Sequence, residues 1–162
     1  MKMDLSGVKA IVFDFDGVFT DDKVTVDETG KESAVCSRSD GYGILQIKKL
    51  PIQILVLTKE VNPIASWRCK KMGVECQQGI DNKREFLETW LERRGIKPDD
   101  CVYVGNDVND IECMKYIGRS FCPHDAHFKV KEITGFTLYC NGGNGAVREV
   151  CDYILSSENH EK

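Results

Sequence analysis

One stretch constrains this chain more than any other: Ala10-Ile11-Val12-Phe13-Asp14-Phe15-Asp16-Gly17-Val18-Phe19-Thr20. Four apolar residues without alternation predict a strand buried on both faces, as in a parallel sheet covered by helices on either side. The run stops at two carboxylates one residue apart. Open α/β sheets bind ligands outside the C-terminal ends of their strands, so Asp14 and Asp16 fall where chemistry is expected. Residues two apart in extended backbone share a face, which lets both acids turn toward one cation or substrate. Gly17 allows the backbone to turn and approach a ligand closely. The competing reading is a plain surface turn, in which Asp and Gly are common.

The rest of the chain repeats the pattern. Ile52 to Leu57 predicts a second buried strand, ending in Thr58-Lys59-Glu60, and Cys101 to Val104 a third, ending in Gly105-Asn106-Asp107-Val108-Asn109-Asp110. Shorter strands are expected at Val74–Cys76, Gly118–Cys122 and Gly135–Leu138. Helices are expected between them. One opens at Asp40-Gly41-Tyr42-Gly43 and stops at Pro51, and one is capped by Asn62-Pro63, with Ile64, Ala65, Trp67 and Met72 inward. Another runs from Lys83 to Arg94 and ends at Gly95, and the last follows the glycine loop Asn141-Gly142-Gly143-Asn144-Gly145. The final residues read as frayed. Alternating strands and helices without repeats or linkers predict one α/β domain over 1–162 with a mostly parallel sheet. One element interrupts the alternation. Residues 23–36 read as a β-hairpin inserted between the first strand and first helix, either a flap or an assembly surface.

Composition excludes several classes. With 22 basic against 26 acidic residues the net charge is −4, so no electrostatic footprint for nucleic acid is present. No apolar run reaches the length of a membrane span, and Met1-Lys2-Met3-Asp4 lacks the apolar core of an export signal. The eight cysteines stand singly, with no C-x-x-C pair to hold zinc. They read as reduced, mostly buried thiols of a cytoplasmic protein.

Three strand ends thus carry Asp14 and Asp16, Thr58, and Asn106, Asp107 and Asp110, with Lys83 opening a nearby helix. Mg²⁺ takes oxygen ligands and is held by one or two carboxylates plus a substrate phosphate. A carboxylate can attack phosphorus and form an aspartyl-phosphate that water hydrolyses. A second carboxylate can protonate the leaving alcohol and then deprotonate that water. Thr58 and Lys83 would hold the phosphoryl oxygens and offset their charge. Each signal alone is weak; their order along the chain makes them specific.

In these motifs the chain resembles the haloacid dehalogenase (HAD) superfamily, through Asp14-x-Asp16-Gly17-Val18, Thr58, Lys83 and Gly105-Asn106-Asp107-Val108-Asn109-Asp110. More narrowly it is similar to the capless sugar-acid phosphatases that act on 3-deoxy-octulosonate phosphate and on nine-carbon 2-keto-3-deoxy acid phosphates. It is also similar to the C-terminal module of some acylneuraminate cytidylyltransferases. That match rests on Asp16 to Asp21, the hairpin, Asp40-Gly41-x-Gly43-Ile44, Asp125-Ala126, and Gly142 to Glu149. The resemblance implies a Rossmannoid three-layer sandwich without a cap domain. It implies Asp14 as nucleophile and metal ligand, and Asp16 as general acid/base with its backbone carbonyl on the metal. Thr58, Lys83 and Gly17 would bind phosphate, and Mg²⁺ would be the cofactor. It further implies a homotetramer whose hairpins meet in a central barrel.

One position departs from the family pattern. Asn106 stands where these phosphatases usually carry an acid on the metal, and the loss of that charge weakens cation binding, with Asp107 or Asp110 available to compensate. An alternative function follows from the departure: a weakly active or inactive tetramerisation module beside an acylneuraminate cytidylyltransferase. For substrate, Glu60 resembles the nine-carbon group, where a carboxylate accepts hydrogen bonds from sugar hydroxyls. Arg68 and Lys71 are expected to meet the substrate carboxylate, with Thr20 completing the set. The competing reading of Arg68 and Lys71 is a solvated helix face.

Overall fold

The computed structural model describes residues 4–158, so the readings of Met1–Met3 and of the last four residues lie outside it. Its centre is β1 (Ala10–Phe13), fully buried as the apolar run requires. After β1 come β2 (Thr25–Val26), β3 (Glu32–Ser33), α1 (Arg38–Ile47), β4 (Gln53–Leu57), α2 (Pro63–Met72) and β5 (Glu75–Gln77). Then follow α3 (Lys83–Arg94), β6 (Cys101–Val104), α4 (Ile111–Ile117), β7 (Ser120–Cys122), α5 (Phe128–Ile133), β8 (Phe136–Thr137) and α6 (Ala146–Glu158). Six strands form one sheet in the order β5-β4-β1-β6-β7-β8, with every pairing parallel. β2 and β3 pair only with each other, as a short antiparallel ribbon.

Alternate residues of each strand feed two cores. Ile11, Phe13, Ile54 and Val56 pack with Ile44 and Ile47 of α1, Ala65 and Cys69 of α2, and Val147, Val150 and Ile154 of α6. On the opposite face Ala10, Val12, Leu55 and Leu57 meet Leu87, Trp90 and Leu91 of α3, Met114 and Ile117 of α4, and Val130 of α5. This is the three-layer α/β sandwich expected from the sequence, with a wholly parallel main sheet. The signals at Asn62 and Gly95 hold as well, and Gly73 adds a helix end the sequence reading did not name. Asn62 caps α2, with its side chain accepting from Ala65 N, and Gly73 and Gly95 end α2 and α3 in the left-handed conformation.

Some expectations are corrected. Trp67 lies on the solvent side of α2 at 66 % exposure, with Lys70 over its ring, because Ala65, Cys69 and Met72 already fill the inward stripe. The hairpin's regular pairing covers two residues per strand, and its valines, Val24 and Val26, are exposed. All eight cysteines are free; five are buried, while Cys36, Cys76 and Cys140 are half-buried. Among the described residues no helix is long and apolar enough to cross a membrane.

Candidate active site

β1 lies between β4 and β6, and its last residue, Phe13, is in register with Val56 and Val104. One step beyond the ladders, Asp14 N still donates to Val104 O at 2.9 Å, and Thr58 and Asn106 emerge on either side. After β5 the chain returns to the other side of β1 to form β6, leaving a topological switch point beside the β1 strand end. A cleft opens there, lined by Asp14, Asp16, Asp22, Thr58, Lys59, Glu60, Asn106, Asp107 and Asn109.

Beneath the cleft three charged groups are buried together. Lys83, the first residue of α3, donates to Asp14 Oδ1 at 2.8 Å and to Asp110 Oδ1 at 2.9 Å. A lysine at a helix N-terminus opposes the helix dipole, and these two carboxylates offset that. Burial works against charge on Lys83, but Asp14 and Asp110 together outweigh it and hold its pKa above the ordinary lysine range. Burial, with the Asp110 charge adding to it, pushes the Asp14 carboxyl up to about 8 in the chain without metal. Asp14 Oδ1 also accepts from Phe15 N at 2.8 Å, which fixes its orientation. Asp16 is raised as well, first by burial and then by the nearby charges of Asp22 and Glu60, and its Oδ2 is buried without a hydrogen-bond partner.

The side chain of Asn106 decides what the cleft can hold. The inner atom of its amide stands 3.2 Å from Asp14 Oδ2 and 2.9 Å from the Asp16 backbone carbonyl. Carboxylate, carbonyl and amide oxygens are the donor set of a hard divalent cation. Oxygens on adjacent corners of a Mg²⁺ octahedron, each about 2.1 Å from the metal, lie about 3.0 Å apart. The spacing found here fits such a cation. Among the described residues no cluster of three His, Cys, Asp or Glu side chains suits a metal, so this mixed donor set is what the chain offers.

Asp110 does not belong to that set. Its Oδ1 accepts from Lys83 and, at 2.7 Å, from the Tyr103 hydroxyl, while its Oδ2 accepts from the backbone N–H groups of Asn106 at 3.0 Å and Asp107 at 3.4 Å. With both oxygens engaged and the residue wholly buried, Asp110 positions Lys83 and the loop and has no face left for a cation. Asp107 lines the cleft, but its carboxylate caps the 3₁₀ turn Val108–Asp110. Gly17 has φ +76° and is packed so closely that a Cβ there would overlap the Asn106 amide.

The structure does not bring Thr20, Arg68 or Lys71 to the cleft. The Thr20 hydroxyl is buried and accepts from Gly17 N and Asp22 N, so it holds the turn after Asp16. Arg68 reaches away, donating to the Ser37 carbonyl at 2.7 Å, and Lys71 is on the exposed face of α2. The glycine loop also has a supporting role. Gly143 N donates to Val18 O at 3.0 Å, and a Cβ at Gly142 would overlap the Gly17 carbonyl, so this loop braces the Asp16–Asp21 turn from behind. Asp40 of α1 is buried against the start of α6, its Oδ1 accepting from Arg148 N at 3.0 Å, and Gly43 lets α1 pass close to the Arg148 backbone.

Comparison with known proteins agrees with this geometry. Residues 46–150 match the family of haloacid dehalogenase-like hydrolases. The chain belongs to that family. The 3-deoxy-D-manno-octulosonate 8-phosphate phosphatase of Salmonella typhi is 32% identical to this hydrolase over 93% of the chain and 81% of its own length. The cobalt-bound form of the corresponding Haemophilus influenzae phosphatase superposes with a TM-score of 0.91 at 29% identity, covering 97% of this chain and 92% of that one. The Moraxella catarrhalis phosphatase, solved with magnesium, phosphate and 3-deoxy-D-manno-octulosonate (KDO), superposes at 0.93 with 26% identity, covering 97% and 91%. With phosphatases as relatives over nearly its whole length, this HAD hydrolase is itself a phosphatase.

Three lining residues of the hydrolase were not singled out from sequence: Asp22, Lys59 and Asn109. Asp22 is the one non-glycine residue with positive φ, +65°, among those described. The doubled acid Asp21-Asp22 directly after the Thr20 turn is the signal that points to it, since Asp tolerates the left-handed region better than most residues.

Proposed function

We propose that this HAD phosphatase is a divalent-metal-dependent phosphomonoesterase acting on a phosphorylated 2-keto-3-deoxy sugar acid. The carrying observation is the Asp14 carboxylate, gripped by buried Lys83 on one oxygen and facing with the other the Asn106 amide, which also meets the Asp16 carbonyl. Asp14, the Asp16 carbonyl and Asn106 would hold the cation, with Mg²⁺ the expected ion. When bound, it offsets phosphoryl charge that the acidic lining alone would repel. Asp14 attacks phosphorus and forms an aspartyl-phosphate as the ester oxygen leaves. Asp16, whose raised pKa suits a proton carrier, protonates that oxygen and then takes a proton from the hydrolytic water. Thr58 and Lys83 hold the phosphoryl oxygens, with the Gly17 turn beside them.

Glu60 stands on the cleft wall, where it accepts from sugar hydroxyls, and favours a nine-carbon nonulosonate 9-phosphate over octulosonate 8-phosphate. With Arg68 and Lys71 outside the cleft, Lys59 is the lining cation for the substrate carboxylate. A panel of both substrates, assayed by phosphate release with and without Mg²⁺, tests this reading. The nine-carbon compound is expected to react faster by about tenfold, and Glu60→Ala to shrink that difference. Equal rates that Glu60→Ala leaves unchanged would remove Glu60 from the specificity.

The exposure of Val24, Val26 and Val35 supports a closed homotetramer, with the hairpins joined at its centre and a neighbour over each cleft. Replacing Val24 and Val26 together with Lys is expected to yield smaller species in light scattering and to lower turnover. A monomeric parent protein at working concentration contradicts the assembly.

A further inference from the structure

We infer that Asn106 is a two-position latch, which satisfies the site when metal is absent and turns its amide over when metal enters. The inference rests on the metal reading above and goes beyond it to the empty state. Both groups facing the inner atom of the amide, Asp14 Oδ2 at 3.2 Å and the Asp16 carbonyl at 2.9 Å, are acceptors. In the structure that atom is Oδ1, the orientation a cation needs; with no cation and with Asp14 ionised, the half-turned amide, Nδ2 inward, pairs both. Its two hydrogens then meet those two acceptors. A cation at the same place requires oxygen inward, which a half-turn of the amide about its last torsion supplies. The opposite end of the amide rests against Gly17, where the missing side chain leaves room for it. The two ends are nearly equal in size, so the turn requires no backbone movement.

An aspartate at position 106 has no second position. It would bring a third acceptor against two others, so the empty site would be held apart by repulsion and a cation would be taken up more tightly. Asn106 thus exchanges cation affinity for a stable empty site. Metal then binds reversibly, and the hydrogen bonds it displaces set how weakly.

The test compares wild type, Asn106→Asp and Asn106→Ala at a pH above 8, by thermal melting without metal and by calorimetric titration with Mg²⁺ and Mn²⁺. Without metal both variants are expected to melt below wild type, since both lose the donor. With metal they should part: Asn106→Asp binding about tenfold or more tighter, and Asn106→Ala several-fold weaker. The divergence separates the latch from a merely structural amide, which would move melting alone. An Asn106→Asp protein that melts with or above wild type overturns the latch, as does one that binds cations no more tightly. If neither wild type nor Asn106→Asp binds either cation at millimolar concentration, the metal reading itself fails and the latch with it.

Discussion

Asp14→Asn is expected to abolish phosphate release, by about 10⁴-fold or more, while leaving the fold intact. The amide cannot serve as nucleophile; in the proposed mechanism Asp16 carries the proton, and Asp110 is saturated by donors. The structural cost is small. An ionised Asp14 is already opposed by burial, the amide oxygen can still accept from Phe15 N and Lys83, and Lys83 keeps its bond to Asp110. Circular dichroism and melting within a few degrees of the parent, together with absent turnover, are the expected results. Turnover near that of the parent would contradict the nucleophile assignment.

Lys83→Met should damage both stability and activity. Methionine nearly fills the same space, but it leaves Asp14 and Asp110 buried near one another without their shared cation. Breaking a buried pair in this way costs about 3–5 kcal/mol, which for a chain of this size lowers the melting temperature by about 10 °C. Turnover should fall by about 10²-fold or more, since the cation proposed to hold the phosphoryl oxygens is lost. Combining Lys83→Met with Asp14→Asn removes one of the stranded carboxylates, so the double variant should melt above Lys83→Met alone. A double variant that melts lower would show that Lys83 supports the fold by packing and not by pairing these acids.

Much of this site was legible because its signals are local. An apolar run followed by acids or a threonine announces a strand end, and β1, β4 and β6 all end as Asp14, Thr58 and Asn106 suggest. The helix caps Asn62 and Gly95 are equally local. Strand order is not local, and only the placement of β1 between β4 and β6 makes the three ends converge. Helical spacing could not settle which way Trp67 and Arg68 point, since neighbours on a helix lie about 100° apart and either orientation keeps a plausible apolar stripe. Asp110 shows the same limit from another side. An acid near a metal motif reads as a ligand until the Tyr103 hydroxyl and the Lys83 ammonium are found on one of its oxygens and two backbone N–H groups on the other. The glycine loop before α6 owes its small residues to a close approach that only the fold reveals, because Gly142 and Gly143 lie against the Gly17–Thr20 turn.

The most direct test of the account is to find the phosphoryl group on the enzyme. Protein mixed with Mg²⁺ and a sugar-acid phosphate, quenched in acid during turnover and digested, is read by mass spectrometry. The account predicts the added mass of one phosphoryl group on the peptide carrying Asp14, sensitive to hydroxylamine as an acyl phosphate is, and absent from Asp14→Asn. A phosphoryl group on any other residue, with Asp14→Asn still releasing phosphate, would contradict it.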